Sequence, residues 1–360
     1  MKTDRPYRVG IIGLGRMGST IDEGRHPDVP DSIASASSAC PHLEVVTGCD
    51  PDREKCTAFS QKWAVSSTYP DYEEMLANEQ LDLVAVCVPS GGLPKRINTA
   101  PDADYRGDAH ADMGTAVSEA KIPMLYLEKA MACSMTKADQ LRDTCRRNGT
   151  VVNTGVFKRF NSGFRAIGNA ITAGTIGEPR SVILFCRSTL MHGHIHSIDL
   201  ASSLLGDPKI LSVRGDLVPP DDKFQGKQLP KDPFATFQLK FANGVEAWSV
   251  PSYGWEMEAE VIGTEGCIRT LNNGTGIQLR KGEWDEYAEI PIPLPAPNSS
   301  VKACLEDIVD AYESARPSFN NIDVAHHTTE ALFAIAESHR RGGGWVDLPL
   351  ANRDLYIYHV

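Results

Sequence analysis

The sequence predicts an α/β protein in two parts, a doubly wound parallel sheet followed by an α/β domain with a large, mostly antiparallel open sheet. Three observations support this fold class. Short apolar runs alternate with helical patterns in the first half of the 360 residues. Strand-like runs follow one another with few helices in the second half. A glycine-rich turn comes directly after the first apolar run. We predict a first domain over residues 1–153 and a second over residues 154–360.

The apolar runs of the first half are short and rich in β-branched residues, which is typical of strands buried on both faces. They lie at 7–12, 43–49, 81–88, 124–127 and 150–153. Helical patterns lie between them at 52–63, 109–120 and 136–148. The last pattern follows Ser134 and stops at Gly149, which are good capping residues. This alternation predicts right-handed crossovers between parallel strands.

The second half changes character, because strand-like runs dominate it. These runs lie at 181–187, 210–214, 234–241, 245–250, 257–262 and 267–271. Helical patterns then close the chain at 301–315 and 323–341. In addition, two polar stretches, 19–41 and 90–108, interrupt the first half. We interpret both stretches as surface insertions, either tolerated loops or lids over a ligand.

Composition excludes several classes of protein. The formal net charge is −11, from 36 Lys+Arg and 47 Asp+Glu, which argues against nucleic-acid or anionic-membrane partners. No apolar run approaches the roughly 18 residues of a membrane span, and no signal-peptide pattern precedes the first strand. The nine cysteines contain no C-x-x-C pair, so we expect reduced thiols in a cytoplasmic protein.

The glycine-rich turn predicts dinucleotide binding. It has the pattern G-x-G-x-x-G, directly after the first strand and opening a helix. The first glycine permits a tight turn, the second lets the backbone approach a pyrophosphate, and the third allows close packing of helix on strand. The candidate cofactor residues in this Rossmann turn are Gly13, Leu14, Gly15, Arg16, Met17 and Gly18.

Asp50 ends the second predicted strand. An acidic residue there hydrogen-bonds the ribose hydroxyls of NAD and repels the 2′-phosphate of NADP. Alternatively, Asp50 simply starts the turn at Pro51. Arg53 and Arg16 lie nearby and are able to serve a 2′-phosphate, so we expect NAD and leave NADP possible.

Two further strand ends carry candidate residues. Val88 and Pro89 follow the 81–88 run, at the expected lip of the cofactor crevice. Glu128 and Lys129 follow the 124–127 run. An ammonium group at such an edge can reach a substrate hydroxyl beside the nicotinamide and move its proton. The alternative for Lys129 is a solvated surface lysine.

Taken together, these residues resemble the Gfo/Idh/MocA family of NAD(P)-dependent sugar and cyclitol oxidoreductases. The resemblance spans nearly the whole chain. It is carried by VGIIGLGRMG at 9–18, Cys49 to Pro51, AVCVPS at 85–90, the helix with His110, Leu127-Glu128-Lys129, Phe157 to Phe160, GTIGEP at 174–179, and His196-Ser197-Ile198-Asp199-Leu200.

The resemblance implies a Rossmann domain followed by an open-sheet domain whose sheet serves dimer or tetramer contacts. It also implies that Lys129 is the active-site lysine and that Glu128, Lys129, Val88 and Pro89 lie at the cofactor. Ala130 stands where the family has proline. Because a non-proline cis peptide costs about 2.5–4 kcal/mol, we expect a trans bond there.

The resemblance further places His196 at the substrate, and His192 where the family has a carboxylate. Residues Arg159 and Asn161 are implied as substrate contacts, against the alternative of a charged loop. His192 and His196 are spaced for a shared metal ion, but no third ligand is apparent and we predict none. Finally, the aromatic residues Trp248, Tyr253 and Trp255 are suited to stack on a sugar ring or to fill the core.

We therefore predict an NAD(P)-dependent oxidoreductase acting on a secondary alcohol or ketone of a sugar, glycoside or cyclitol. Hydride passes to or from the nicotinamide, and Lys129, His196 and His192 are the catalytic candidates. A second hypothesis is an NAD-dependent glycosidase or lyase that oxidises transiently and eliminates a leaving group. A third is a non-catalytic regulator that senses a nucleotide or sugar.

Overall fold

The computed structural model describes residues 5–23, 29–90, 108–218, 224–252, 257–282 and 288–359. The chain divides into two compact units. The first comprises residues 1–157 and 299–326 with residue 360, and the second comprises 158–298 and 327–359.

The strands are β1 Tyr7–Ile12, β2 Leu43–Cys49, β3 Ser67–Tyr69, β4 Leu83–Val86, β5 Met124–Leu127, β6 Val151–Thr154, β7 Pro179–Phe185, β8 Ile210–Val218, β9 Gln228–Leu229, β10 Phe234–Phe241, β11 Glu246–Val250, β12 Glu258–Gly263, β13 Gly266–Leu271, β14 Gly276–Lys281, β15 Ala288–Ile290, β16 Val346–Asp347 and β17 Tyr356–Ile357. The α-helices are α1 Ile33–Ser38, α2 Arg53–Trp63, α3 Tyr72–Asn78, α4 Ala109–Glu119, α5 Met135–Asn148, α6 Ser162–Thr172, α7 Ile195–Leu204, α8 Ser300–Glu313 and α9 Ile322–Arg340. Short helical turns lie at Arg16–Thr20, Phe157–Phe160, Leu190–His194 and Asn272–Gly274.

The first unit contains a six-stranded parallel sheet in the order β3-β2-β1-β4-β5-β6. This is a doubly wound arrangement, in which the strand order reverses between β1 and β4. Every residue of β4 and β5 is buried, as a parallel sheet covered on both faces requires. The structure confirms the predicted sheet, although β4 is shorter than the run at 81–88.

The glycine-rich turn does not open a long helix. A five-residue π-helical turn, Arg16–Thr20, follows it instead. Trp63 of α2 fixes this turn by donating from Nε1 to Ser19 Oγ at 2.9 Å. The helix that the motif opens is therefore a single turn.

Residues 29–41 are not a surface insertion. They include α1, whose residues Ile33, Ala34 and Ala36 are fully buried. The side chain of Ser32 caps α1 by accepting a hydrogen bond from the Ser35 amide at 3.1 Å. This part of the prediction was wrong because small and polar residues suit a capped, buried helix as well as a loop. Residues 24–28 of the 19–41 stretch and 91–107 of the 90–108 stretch lie outside the described residues.

The division at residue 153 also differs from the structure, since residues 299–326 belong to the first unit. Helix α8 buries Cys304, Leu305 and Ile308 there. Asp307 accepts a hydrogen bond at 2.8 Å from the Asn153 amide group at the end of β6. The amphipathic pattern of α8 predicts a buried face but not the sheet against which that face packs.

The second unit contains a nine-stranded sheet in the order β15-β14-β13-β12-β7-β11-β10-β8-β16. Its neighbours run antiparallel except for the β7–β11 pair. Strands β8 and β10 alternate buried and exposed residues along much of their length, which is typical of a sheet with one solvated face. The predicted, mostly antiparallel sheet is confirmed.

All nine cysteines are free thiols. Within the described ranges, no helix combines the length and the hydrophobicity that crossing a bilayer requires. The sequence missed β3 and α3, whose residues are largely exposed or half-buried and form no apolar run.

The placement of α8 generates a stability prediction. Leu305→Ala truncates a fully buried side chain and leaves a cavity, so we expect it to lower the free energy of unfolding by about 2–5 kcal/mol. Amide hydrogen exchange will accelerate in β5 and β6, while β10 and β12 keep their protection. The matched control is Leu294→Ala, at a residue that is 53% exposed, which should change stability by less than about 0.5 kcal/mol. Faster exchange in the second unit alone would contradict the assignment of α8 to the first.

Candidate functional site

The carboxyl ends of four parallel strands bring the predicted cofactor residues to one edge of the six-stranded sheet. Backbone hydrogen bonds continue past the strand ends. Gly13 donates to Cys49 at 2.8 Å, Cys87 to Ile12 at 2.7 Å, and Glu128 to Val86 at 2.9 Å. This ladder places Gly13, Asp50, Val88 and Glu128 along a shared edge, where ligands bind in open α/β sheets.

The three glycines of the turn have different surroundings. Gly13 has φ +92°, and a Cβ there would lie 2.7 Å from the Cys87 carbonyl oxygen. A Cβ on Gly18 would collide with the Gly13 carbonyl. Gly15 differs, since nothing in the protein lies within 4 Å of its hypothetical Cβ. Packing therefore accounts for Gly13 and Gly18, while the space beside Gly15 is open.

Asp50 is bonded to the glycine turn itself. Its Oδ2 accepts the Leu14 amide at 3.0 Å, and its Oδ1 accepts the Asp52 amide at 3.0 Å. The residue is 6% exposed, and Lys55 Nζ lies 3.7 Å from Oδ2. The carboxylate thus joins the ends of β1 and β2 and retains lone pairs for ribose hydroxyls.

The basic residues near Asp50 are exposed. Arg16 and Arg53 both lie at the surface, and Met17 beside Arg16 is half-buried. An exposed guanidinium can approach a 2′-phosphate, whereas the buried Asp50 carboxylate opposes one. The local charges therefore agree with the expectation from the sequence, which is NAD with NADP as the alternative.

A short hydrogen bond from Tyr126 fixes the Glu128 carboxylate, which in turn contacts the Lys129 backbone. Tyr126 donates its hydroxyl proton to Glu128 Oε1 at 2.5 Å, and Glu128 Oε2 accepts the Lys129 amide at 3.2 Å. A Cβ on Gly155 would lie 2.8–2.9 Å from these oxygens, so glycine leaves room for the pair. Burial, together with the nearby Glu128 charge, raises the pKa of Tyr126 well above its ordinary value. The hydroxyl therefore stays protonated as a donor to the carboxylate.

The peptide bond between Lys129 and Ala130 is cis, so the expected trans bond is wrong. Hydrogen bonds hold the backbone on both sides of it. Glu128 accepts the Lys129 amide, and the carbonyl oxygen of Ala130 lies 2.7 Å from Nδ1 of the His110 ring. The side chain of Lys129 is half-buried at this turn.

The second unit positions the candidate histidines at the start of α7. His192 is exposed on the π-helical turn before α7, and His196 is half-buried in its first turn. Asp232 accepts the amides of Met191 and His192, each at 2.8 Å. The ring of His359 packs 5.5 Å from that of His192, and its Nδ1 lies 3.6 Å from Asp232 Oδ2.

The hydrogen bonds to Asp232 have an electrostatic consequence. Although burial acts to raise it, the nearby His359 ring and the hydrogen bond donated by the Met191 amide hold the pKa of Asp232 below its ordinary value. An ionised carboxylate therefore fixes the turn that carries His192. Sequence analysis missed Asp232 and His359, because both are remote in sequence from the motif they support.

Arg159 is engaged inside the second unit. Its guanidinium contacts Asp199 at 2.6 Å and Asp207 at 3.1 Å, and its side chain is 4% exposed. Burial raises the pKa of Asp199 to about 6, and the Arg159 charge opposes that rise. Asn161 caps α6 by accepting the Gly163 amide at 3.0 Å. These contacts give Arg159 and Asn161 structural roles that the sequence did not indicate.

The other residues predicted from the sequence differ in their exposure. Val88 is half-buried and Pro89 is exposed after β4, and Trp248 is half-buried in β11. Tyr253 and Trp255 lie outside the described residues. Over the part of the chain that the structure describes, no group of three His, Cys, Asp or Glu side chains is arranged to hold a metal ion.

Two family models match this chain. The model described as oxidoreductase family, NAD-binding Rossmann fold, matches residues 7–156. The model described as oxidoreductase family, C-terminal alpha/beta domain, matches residues 187–348. Both models carry the name GFO_IDH_MocA, and together they span most of the chain.

Individual proteins are similar at low identity. A myo-inositol 2-dehydrogenase of Thermotoga maritima is 23% identical over 279 residues, covering 72% of this chain and 74% of that relative. The structure of an inositol dehydrogenase homologue of Azotobacter vinelandii, complexed with NADH and myo-inositol, has a TM-score of 0.75 at 17% identity and covers 96% of this chain and 98% of that one. An aldose-aldose oxidoreductase of Caulobacter crescentus, complexed with glycerol, has a TM-score of 0.75 at 19% identity, with 96% and 100% covered.

The glycine turn generates a contrast between two variants. Gly15→Ala meets no protein atom, so we expect it to leave the melting temperature nearly unchanged and to weaken NAD binding at least tenfold. Gly18→Ala collides with the Gly13 backbone and should instead destabilise the first unit. Calorimetric titration with NAD and thermal unfolding separate the two effects. Unchanged NAD affinity in Gly15→Ala would contradict the assignment of this turn to the pyrophosphate.

Proposed function

The chain belongs to the Gfo/Idh/MocA oxidoreductase family, and from that premise we propose that it interconverts a secondary alcohol and a ketone on a cyclitol or sugar. The observation that carries this proposal is Lys129, half-buried at the end of β5 with Glu128 bonded to its backbone. The same sheet edge carries the glycine turn of an NAD-binding Rossmann domain.

The cofactor half of the proposal rests on the strand ends. The open space at Gly15 and the Asp50 carboxylate fit the pyrophosphate and the adenosine ribose of NAD. Bound NAD supplies the position that accepts or returns a hydride. Val88 and Pro89, after β4, would border the nicotinamide end of the crevice. The family model names NAD, and NADP remains the alternative that the exposed Arg16 and Arg53 allow.

Lys129 would take the proton of the reacting hydroxyl during oxidation and return it during reduction. Its backbone amide is fixed by Glu128, whose carboxylate is fixed in turn by Tyr126. A fixed backbone limits the positions that the flexible lysine side chain can sample, and this favours its contact with the substrate oxygen. The Glu128 carboxylate also stabilises a cation at this turn.

In the second unit, His196 would bind the reacting hydroxyl or relay its proton. His192 would contact a neighbouring hydroxyl, in place of the carboxylate that the family carries at this position. Asp232 supports the proposal by holding the His192 backbone through two amide bonds. Arg159 and Asn161 would then act by positioning this unit's helices rather than by touching substrate.

The substrate class comes from the names of similar proteins. The Thermotoga relative is a myo-inositol 2-dehydrogenase, and the Azotobacter homologue was crystallised with myo-inositol. The Caulobacter neighbour acts between aldoses. A polyhydroxylated carbon skeleton is common to inositols and aldoses, and it suits a site built from histidine and lysine donors.

We also propose that the nine-stranded sheet joins copies of this chain into a dimer or tetramer. Phe234 and Val218 form a cross-strand pair, and both are more than one-third exposed. Leu211, on the same strand as Val218, is 50% exposed. Apolar side chains in such numbers on a sheet are typical of an association surface.

The assignment of Lys129 predicts the behaviour of Lys129→Met. This variant keeps the length of the side chain and removes the ammonium, so we expect kcat to fall about 10²–10⁴-fold. The NAD dissociation constant should change less than about threefold, because the glycine turn and Asp50 are untouched. Steady-state kinetics and calorimetry measure both. The control Lys302→Met removes a lysine from an exposed i,i+4 pair on α8 and should leave kcat unchanged. A raised KM at constant kcat in Lys129→Met would show that Lys129 does not transfer the proton.

The position of Asp50 predicts a change in cofactor preference. Asp50→Asn keeps an oxygen that can accept the Leu14 amide but removes the charge that repels a 2′-phosphate. We expect the ratio of NAD to NADP affinity to fall at least tenfold. Asp52→Asn, at the exposed cap of α2, is the control. Equal losses of affinity for NAD and NADP would remove Asp50 from cofactor selection.

A further inference from the structure

We propose that His110 is held as an imidazolium ion and that this cation clamps the end of β4 to the backbone that follows Lys129. The protonation state stands on geometry alone. Its consequence for catalysis rests on the proposed function.

Both ring nitrogens of His110 lie at hydrogen-bond distance from backbone carbonyl oxygens. Nδ1 is 2.7 Å from the Ala130 oxygen, and Nε2 is 2.6 Å from the Val88 oxygen. The residue lies in the first turn of α4 and is 2% exposed. Both distances are at the short end for an N–H···O bond, which indicates that both contacts are made.

The chemistry of the partners decides the charge on the ring. A backbone carbonyl oxygen accepts hydrogen bonds and never donates one. Neutral imidazole carries a single N–H, so its other nitrogen would point a lone pair at a carbonyl lone pair. Only the imidazolium form donates from both nitrogens.

His194 in the second unit differs in one contact, since a hydroxyl faces one of its ring nitrogens, while the backbone of Ser188 also approaches the ring. Its Nε2 lies 2.9 Å from the Ala235 carbonyl, but its Nδ1 lies 3.4 Å from the hydroxyl of Ser197. Because a hydroxyl can donate, a neutral ring satisfies both partners. Burial agrees with this, since it lowers the pKa of His194 to about 4.

Several titratable groups surround the clamp. Burial raises the pKa of Asp108 well above its ordinary value, and Oδ2 of this residue accepts the Cys133 amide at 2.7 Å. Asp112 is paired with Lys137 at 2.7 Å. Glu128, two residues before Ala130, is the acidic residue closest in sequence to the clamped carbonyl. Other titratable groups on the elements that pack against α4 are Tyr72, Glu73 and Glu74 of α3, Tyr126 of β5, and Lys137, Asp139, Arg142, Asp143, Cys145, Arg146 and Arg147 of α5. Cys87, Lys129 and Cys133 lie in the segments that adjoin β4, β5 and α5.

His110 acts on Lys129 through the backbone and is therefore a positioning residue. One of its bonds holds the residue after Lys129, and the other holds Val88 at the proposed nicotinamide edge. Hydrogen bonds to the charged form favour protonation, so the clamp is complete at low pH. It loses one of its two bonds as pH rises through the titration midpoint of the ring.

The first test reads the ring directly. Nitrogen NMR of the full chain, labelled with ¹⁵N-histidine, reports whether each ring nitrogen carries a proton. At pH 7 we expect two protonated nitrogens on His110 and one on His194. His110→Gln assigns the signal, and coupling across the hydrogen bond between Nδ1 and the Ala130 carbonyl assigns it if that variant does not fold. A single protonated nitrogen on His110 at pH 7 would overturn the proposal, whether or not the chain has the proposed activity.

The second test reads the consequence for turnover. Glutamine donates to one carbonyl and presents an amide oxygen to the other, so His110→Gln should lower kcat at least tenfold while the NAD dissociation constant changes less than threefold. Its pH profile should lack the alkaline fall that, in the unaltered chain, coincides with loss of the second ring proton. His42→Gln, at an exposed histidine of the same unit, is the control. Unchanged kcat and an unchanged pH profile in His110→Gln would show that the cation does not position Lys129.

Discussion

Parallel pairing of four strands is the constraint on which the candidate cofactor site depends. Strands that run in one direction end at one edge, so β1, β2, β4 and β5 each contribute the residue that follows them. The buried apolar residues of these strands set the register, and backbone hydrogen bonds carry it one residue further. Asp50 reinforces this edge by joining the ends of two strands through the Leu14 amide. A shift in any of these strands would displace several functional groups together.

In the second unit, ion pairs and hydrogen bonds to buried charged groups fix the positions of the polar residues. Arg159 contacts two carboxylates, those of Asp199 and Asp207. Asp232 contacts two backbone amides and lies near the His359 ring. Buried ions are tolerated only when paired and hydrogen-bonded, so these clusters permit few alternative geometries. The turn that carries His192 is one product of this restriction.

Sequence reasoning was most successful where a pattern is local. Buried strands appear as apolar runs, the glycine turn has a fixed spacing, and Glu128 and Lys129 come at the end of an apolar run. It was less successful where a residue's role depends on a remote partner. Helix α8 shows a buried face without showing its partner sheet, and Asp232 lies 40 residues from the histidine turn that it holds. Ser32 and Ser35 cap α1 within a stretch whose composition equally suits a loop. His110 illustrates the same limit, because its ring partners are backbone oxygens, which no side-chain pattern reveals.

The most direct test of the account is absorbance at the reduced-nicotinamide band while the purified chain and NAD meet a panel of inositols, aldoses and glycosides. The account predicts an NAD-dependent rise with one stereochemical class of cyclic polyol. Absence of any rise, in a protein shown by calorimetry to bind NAD, would contradict net oxidation of a secondary alcohol by this chain.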